Sequence, residues 1–308
     1  MEQVLGYLII VFTLVNDESL FVVICVASES DGMEVMMKLI ITADDFGITP
    51  AVTDGIVACA RDGLLTQTGL FVNMPWAEYA VTRIHDFPHV VLGIDLNICA
   101  GDPVTNPKLL PSLIQANGSF LTSKMHRQRE SKQKNSVSYD EVYMEFENQI
   151  LKFKELTGRM PGYIQGHAWG NEDTDKATKE LADKFNIKTF TYYMDKYIMR
   201  EKASFIEGYW AKPKILPDQT KEFSIMTQIE HDPLQMFIDG KLTYLDKALK
   251  NEWITELHTH AGYVDRKLFD VSSYTLIRAM EAAFLCSSEL KRWVSDHQVE
   301  LITFRELA

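Results

Sequence analysis

Apolar and polar positions follow two patterns along the chain, which together predict strands and helices in regular succession. Short apolar runs predict buried strands, and apolar residues that recur every three or four positions predict amphipathic helices. The predicted strands are Lys38–Thr42, Leu65–Val72, Val90–Ile98, Tyr163–Gly166, Lys188–Tyr193, Trp253–His258 and Val299–Thr303. The predicted helices are Pro50–Asp62, Trp76–His85, one that follows Ser138 and stops at Gly158, Thr174–Phe185, Thr243–Lys250, and one or two within Ser272–His297. The segment Arg200–Asp232 has no clear pattern.

Local signals set the ends of two of these helices. Thr49 before Pro50 is typical of an N-cap followed by the first helical residue. Ser138 and Glu141 form the S-x-x-E pattern of a capping box. The helix that follows carries an apolar stripe, which predicts the face that it buries. That stripe consists of Val142, Phe146, Ile150 and Phe153.

Alternating strands and helices predict right-handed βαβ units and a parallel sheet. About seven such units favour an α/β fold of the distorted (β/α) barrel type, similar to a TIM barrel. In such folds the chemistry lies at the carboxyl ends of the strands.

One long connection, Cys99–Val137, has no predicted element and is rich in Pro, Asn, Ser and Gln. A connection of this length is usually functional or mobile. Its stretch Lys124–Lys134 is the longest basic stretch of the chain and includes Arg127 and Arg129. We interpret it as a solvated or substrate-facing loop that could close over a sugar and hold a substrate phosphate.

Residues 1–36 differ from the rest of the chain. They hold two apolar runs, 4–15 and 20–27, that four polar residues separate. Neither run reaches the roughly 18 residues that a membrane span needs, and no Lys or Arg precedes the first, as a secretory signal would require. We expect an N-terminal extension at 1–36 outside a barrel domain at 37–308. An atypical membrane anchor is the alternative.

Composition and charge limit the function classes. The chain has 308 residues, of which 46% are apolar and 24% charged, as in ordinary globular proteins. Its net charge of -12 disfavours binding to nucleic acid or anionic lipid. The four cysteines contain no CxxC pair, so we expect free thiols in the cytoplasm.

Polar side chains follow four of the predicted strands, at the point where each strand ends. They are Asp44 and Asp45, Asp95 and Asn97, Gln165 and His167, and Glu256, His258 and His260. Because the carboxyl ends of parallel strands share one rim, we expect these side chains to project around one site. Two carboxylates and a histidine on one rim predict a site for a divalent metal.

Several segments resemble motifs of the YdjC-like (ChbG) carbohydrate deacetylases. The most specific is Ala43-Asp44-Asp45-Phe46-Gly47, which a helix that begins with Pro follows. The supporting segments are Gly93–Asn97, Pro161–His167 and Glu256–Tyr263. The resemblance implies a distorted (β/α) barrel, a divalent metal, and removal of an acetyl group from N-acetylated sugars such as chitooligosaccharides.

The same resemblance implies Asp45, Asp95 and His167 as metal ligands. The family usually has a histidine at the position of Asp95, and H-I-D-S-H-x-H where this chain reads Tyr163–Trp169. A set with two carboxylates favours Mg²⁺, with Mn²⁺, Co²⁺ or Zn²⁺ as alternatives.

Metal-assisted hydrolysis would use Asp44 as the general base and His260 as the proton donor to the departing amine. Nearby carboxylates should raise the pKa of that histidine. The candidates for substrate binding are Trp76, Asn97, Trp169 and Tyr263.

Two other functions stay open: a catalytically silent sugar-binding protein on the same barrel, and another metal-dependent esterase or phosphatase. In each case the expected partner is a small molecule or an oligosaccharide. No nucleic acid or membrane is expected, and a homodimer is a possible assembly.

Overall fold

The computed structural model describes residues 37–132, 136–198, 233–251 and 254–307, together with strands at 8–16, 19–27 and 204–207. The chain divides into two compact units, Met1–Met36 and Met37–Ala308. In the first unit, β1 (Leu8–Asn16) and β2 (Ser19–Ala27) pair in antiparallel register. In the described parts of the chain, no helix has both the length and the apolar character to cross a membrane.

The second unit is built on a parallel sheet. Its strands are β3 (Lys38–Phe46), β4 (Gln67–Leu70), β5 (Val91–Leu96), β6 (Ile164–Gly166), β7 (Ser204–Glu207), β8 (Ile254–Thr259) and β9 (Glu300–Leu301). Their spatial order is β6-β5-β4-β3-β8-β7, and β9 pairs with the start of β3. This order confirms the predicted α/β fold with about seven parallel strands.

Helices connect these strands. They are α1 (Pro50–Asp62), α2 (Ala77–Arg83), α3 (Ser123–Glu130), α4 (Tyr139–Thr157), α5 (Glu172–Phe185), α6 (Phe190–Tyr193), α7 (Pro233–Asn251), α8 (Leu268–Val271), α9 (Leu276–Cys286) and α10 (Ser288–Asp296). The Thr49 side chain accepts a hydrogen bond from the Val52 N–H, so the predicted cap of α1 is confirmed. The predicted apolar stripe of α4 is fully buried.

The polar side chains at the strand ends lie next to a buried apolar cluster. One buried cluster includes Ile40, Tyr163 and Phe304. Because side chains on a strand alternate between its two faces, Asp44 lies on the same face of β3 as Ile40. The carboxylate of Asp44 therefore projects from the same face of the sheet as this buried apolar cluster.

Three local predictions are wrong. Lys188–Tyr193 is not a strand: Thr189 caps α6, and the Tyr193 ring of that helix stacks on Phe304 at 4.3 Å. The stretch Lys124–Lys134 is not all loop, because Thr122 caps α3, although Lys134 lies outside the described residues.

The capping box at the start of α4 does not form either. Ser138 makes no side-chain cap bond, and the Glu141 carboxylate instead accepts hydrogen bonds from the backbone and hydroxyl of Ser112. Of the unassigned segment Arg200–Asp232, the described residues cover strand β7 alone.

Candidate active site

The turn that ends β3 brings two adjacent carboxylates to one site. Asp45 has a φ of 70°, a left-handed conformation that residues other than glycine rarely adopt, and Gly47 has a φ of 95°. In a regular strand, the side chains of Asp44 and Asp45 would point to opposite faces. The chain turns at Asp45 itself, so both carboxylates can lie at the mouth of the barrel.

Asp45 is held between two basic side chains. Its Oδ2 accepts a hydrogen bond from Nη2 of Arg278 at 2.5 Å, and its Oδ1 lies 3.2 Å from Nδ1 of His167. Burial alone would raise the pKa of Asp45, but Arg278 and His167 hold that pKa well below its usual range. Asp45 is therefore ionised at neutral pH.

Asp95 contacts the backbone of Asp45. Its Oδ2 accepts a hydrogen bond from the Asp45 N–H at 2.9 Å. A Cβ on Gly69 would lie 1.8 Å from Asp95 Oδ1, so the glycine leaves room for this carboxyl group. Burial raises the pKa of Asp95 well above its usual value, and the charges of Asp44 and Asp45 add to the effect. The raised pKa favours the protonated form of Asp95, so a cation would compete with a proton for this carboxyl group.

Asp44 forms one end of a row of three polar side chains. Its Oδ2 lies 2.7 Å from Nε2 of His258, and His258 Nδ1 lies 3.2 Å from Oε1 of Glu256. Burial opposes both charges in this row, yet the contact between Asp44 and His258 lowers the pKa of Asp44 and raises that of His258. His258 therefore lies between two acidic side chains, and its contact with Asp44 favours opposite charges on that pair.

His260 differs from the sequence-based expectation. Burial lowers its pKa to about 4, and Arg278 opposes the charge of Asp45 nearby. The predicted rise of the His260 pKa is therefore wrong, because burial and Arg278 together outweigh the nearby carboxylates. The Glu281 carboxylate accepts a hydrogen bond from the His260 N–H at 2.8 Å, which fixes the backbone of this residue.

Two sets of side chains at this rim are candidates for a divalent cation, but among the described residues the second set alone brings three donor atoms close together. In the predicted set, Asp45 Oδ1 faces His167, because Arg278 occupies the other carboxylate oxygen of Asp45. In the second set the donor atoms lie within 4.8 Å of one another, and its members are Asp44, His258 and His260. In the described part of the structure, the buried Oδ1 of Asp44 has no hydrogen-bond partner. An unsatisfied buried carboxylate oxygen beside histidines fits a cation.

Comparison with known proteins identifies the family. Residues 38–296 match the family model described as YdjC-like protein. This chain belongs to the YdjC-like family. A relative in Oceanobacillus iheyensis named carbohydrate deacetylase is 31% identical over 264 residues, which cover 84% of this chain and 100% of the relative.

Two further proteins match this chain over nearly their whole length. A protein of Proteus mirabilis named chitooligosaccharide deacetylase is 26% identical over 271 residues, 87% of this chain and 98% of the relative. A crystal structure from Enterococcus faecalis, provisionally named as a cellobiose-phosphate cleavage protein, is 24% identical. It has a TM-score of 0.69 and covers 89% of this chain and 99% of that one. It supports the fold of this YdjC-like protein.

Two predicted aromatic residues lie at the rim of this YdjC-like protein. Trp76 follows β4, and the Lys267 ammonium from the loop after β8 lies 4.4 Å from its ring centroid. Trp169 follows β6 and stacks on His126 with ring centroids 4.3 Å apart. Its indole N–H donates to Glu130 at 3.1 Å. Both indoles are partly exposed.

The other two predicted substrate contacts are placed differently. The buried Asn97 amide is fully used within the protein: it donates to the Asn73 side chain after β4 and to the Ala100 carbonyl, and it accepts from two backbone N–H groups. Tyr263 is 48% exposed. Its backbone N–H donates to the Ala51 carbonyl at 3.2 Å, so its backbone lies beside the first turn of α1, the helix that follows the turn at Asp45.

The sequence analysis did not identify Arg278, which binds the Asp45 carboxylate, or Glu281, which accepts a hydrogen bond from the His260 N–H. Both lie in α9, in the segment LIRAMEAAFLC, and both are buried. Charged residues three positions apart on the buried face of an apolar helix are a signal that could have identified them, because buried charges need partners.

Proposed function

We propose that this protein is a metal-dependent hydrolase that removes an acetyl group from N-acetylated sugars or oligosaccharides. The observation that carries the proposal is the pair of adjacent carboxylates at the barrel mouth, where Asp44 faces His258 and Asp45 faces His167. The names of the full-length relatives support the same reaction class.

We propose that Asp45, Asp95 and His167 hold the cation, for which Mg²⁺ is our first candidate. When bound, the metal would polarise the acetyl carbonyl and lower the pKa of a water molecule. Arg278 binds the Asp45 oxygen that faces away from His167, so it orients the other oxygen toward the histidine. Arg278 is therefore a positioning residue.

The chain's own side chains would move the protons. Asp44 would take a proton from the attacking water at the Oδ1 atom that lacks a partner in the described structure. His258 contacts the other oxygen of Asp44 through Nε2, and Glu256 contacts the Nδ1 atom of the same histidine. The two contacts orient the Asp44 carboxylate. His260 would face the departing amine, with its backbone fixed by Glu281. Because its pKa of about 4 leaves it neutral at pH 7, it would have to take up a proton before it could donate one.

The substrate would bind across the rim. Trp76 and Trp169 are partly exposed, and each could stack a sugar on the ring face that Lys267 or His126 does not cover. Arg127, which donates to the Ala168 carbonyl beside Trp169, could bind a phosphate on the substrate. The free thiols support a reducing compartment, and we propose the cytoplasm.

The test is acetate release from N-acetylglucosamine oligomers with Mg²⁺, Mn²⁺, Co²⁺ or Zn²⁺. We expect Asp44→Asn to lower kcat by roughly 10²- to 10⁴-fold. The exposed Asp62→Asn, at the far end of α1, should retain activity. If wild type and Asp44→Asn are equally inactive while a sugar still binds, the protein is a silent sugar-binding protein. Activity on aryl acetates or phosphates alone would indicate the third function class.

A further inference from the structure

Two cysteines outside the candidate active site lie between α1 and α9. Cys59 is buried in α1, and Cys286 ends α9 and is partly exposed. The Cys59 sulfur lies 3.8 Å from the Ala282 carbonyl oxygen in α9. The Cys286 sulfur lies 3.8 Å from the Ala58 carbonyl oxygen in α1. Each thiol therefore reaches the backbone of the other helix.

The two backbones approach closely at this point. A Cβ on Gly63 would lie 2.6 Å from the Cys59 carbonyl oxygen and 2.7 Å from that of Leu285, the neighbour of Cys286. The glycine thus permits a contact that a larger residue would prevent. A disulfide needs Cα atoms about 4.4–6.8 Å apart, which a close approach of this kind allows.

The two thiols differ in their chemistry. Contact with Cys286 and burial raise the pKa of Cys59 well above its usual value. Contact with Cys59 lowers the pKa of Cys286 to about 7, and Lys291 adds to the effect against the opposing influence of burial. A partly exposed thiol with a pKa near ambient pH is suited to attack a disulfide.

We propose that Cys59 and Cys286 are a redox modification site, which closes to an intramolecular disulfide when the protein meets a small-molecule disulfide such as oxidised glutathione. In the first step the Cys286 thiolate attacks one sulfur of that molecule, forms a mixed disulfide and releases one glutathione thiolate. In the second step Cys59 gives up its proton, attacks the Cys286 sulfur and releases the second glutathione. Two protein thiols are oxidised, and one disulfide is reduced to two thiols.

The bridge would join the two helices that flank the candidate active site. Helix α1 follows directly after the turn at Asp45, and α9 carries Arg278, which binds the Asp45 carboxylate. A covalent link between them would fix the distance between these elements at their far ends. The inference does not depend on the proposed function, because it concerns thiol chemistry alone.

The test is incubation of the full chain with oxidised glutathione, followed by alkylation, proteolysis and mass spectrometry. We expect a linked pair of peptides containing Cys59 and Cys286, with release of two glutathione molecules. The melting temperature should rise by roughly 5 to 10 °C and return when the bridge is reduced. Peptide mapping also distinguishes this disulfide from any product of Cys25, whose side chain lies outside the described residues.

Matched variants complete the experiment. Cys99→Ser removes another buried cysteine and should leave the linked peptide and the temperature shift unchanged. Cys59→Ser should stop the reaction at a glutathione adduct on Cys286. The proposal is overturned if wild type retains that adduct without closing the bridge, or if no linked peptide forms.

Discussion

The buried ion pair between Asp45 and Arg278 gives the sharpest prediction about stability. Each of the two side chains is 1% exposed, and the atoms in contact are 2.5 Å apart. Arg278→Met keeps an unbranched, flexible side chain, although a shorter one, and removes the charge, which leaves the Asp45 carboxylate buried without its cation. Removing one partner of a buried ion pair costs about 3–5 kcal/mol. Arg278 also donates to the Tyr274 and His260 carbonyls, so we expect a loss in the upper half of that range.

Urea denaturation of metal-free protein at pH 7, followed by circular dichroism, measures this loss. Arg266→Met is the matched control, because Arg266 pairs with Asp270 on the surface, where the two side chains are 77% and 62% exposed. The control should leave the urea midpoint unchanged. A midpoint for Arg278→Met equal to that of the control would refute the reasoning.

The pH dependence follows from the same pair. The pKa of Asp45 is depressed in the folded protein, so its contribution to stability is present above the unfolded value of roughly 4. That contribution is lost as the pH falls toward the lower, folded pKa. The difference in stability between wild type and Arg278→Met should therefore be largest at neutral pH and shrink in acid.

Two further predictions concern packing and loop anchoring. Gly55→Ala should destabilise the protein, although alanine favours helices, because its Cβ would lie 2.3 Å from the backbone nitrogen of Tyr263. Gly240→Ala, where the Cβ meets nothing within 4 Å, should stabilise by up to about 1 kcal/mol, and thermal melts of both variants check the contrast. Glu145→Ala should cost about 2–4 kcal/mol in urea denaturation, because the carboxylate accepts from the Val104 and Thr105 N–H groups. Glu145→Gln, which keeps an acceptor oxygen, should cost less; an equal loss in both variants would contradict this explanation.

The rim of the barrel could be predicted because strand ends are local features. Apolar runs located β3, β5, β6 and β8, and the polar residues after each run mark the same edge of a parallel sheet. Asp44 and His167, which are far apart in sequence, were thus assigned to one site.

Other features depend on contacts that a local pattern does not reveal. Residues 188–193 are rich in aromatic and β-branched side chains, which favour a strand, but the cap at Thr189 and packing on Phe304 select a helix. The predicted rise of the His260 pKa is wrong chiefly because the residue is buried, and because Arg278, which reaches the site from α9, opposes the carboxylates. Burial and a cation that is distant in sequence thus have a larger effect on this pKa than the neighbouring residues in the sequence suggest.

The measurement that tests the central claim most directly is the metal content of the purified chain after loading and dialysis, by mass spectrometry of the elements. The account predicts one divalent cation per chain in wild type, and loss of that cation in His167→Ala and Asp95→Ala. His258→Ala should retain it. Retention in the first two variants with loss in His258→Ala would instead place the cation at Asp44, His258 and His260 and contradict the account.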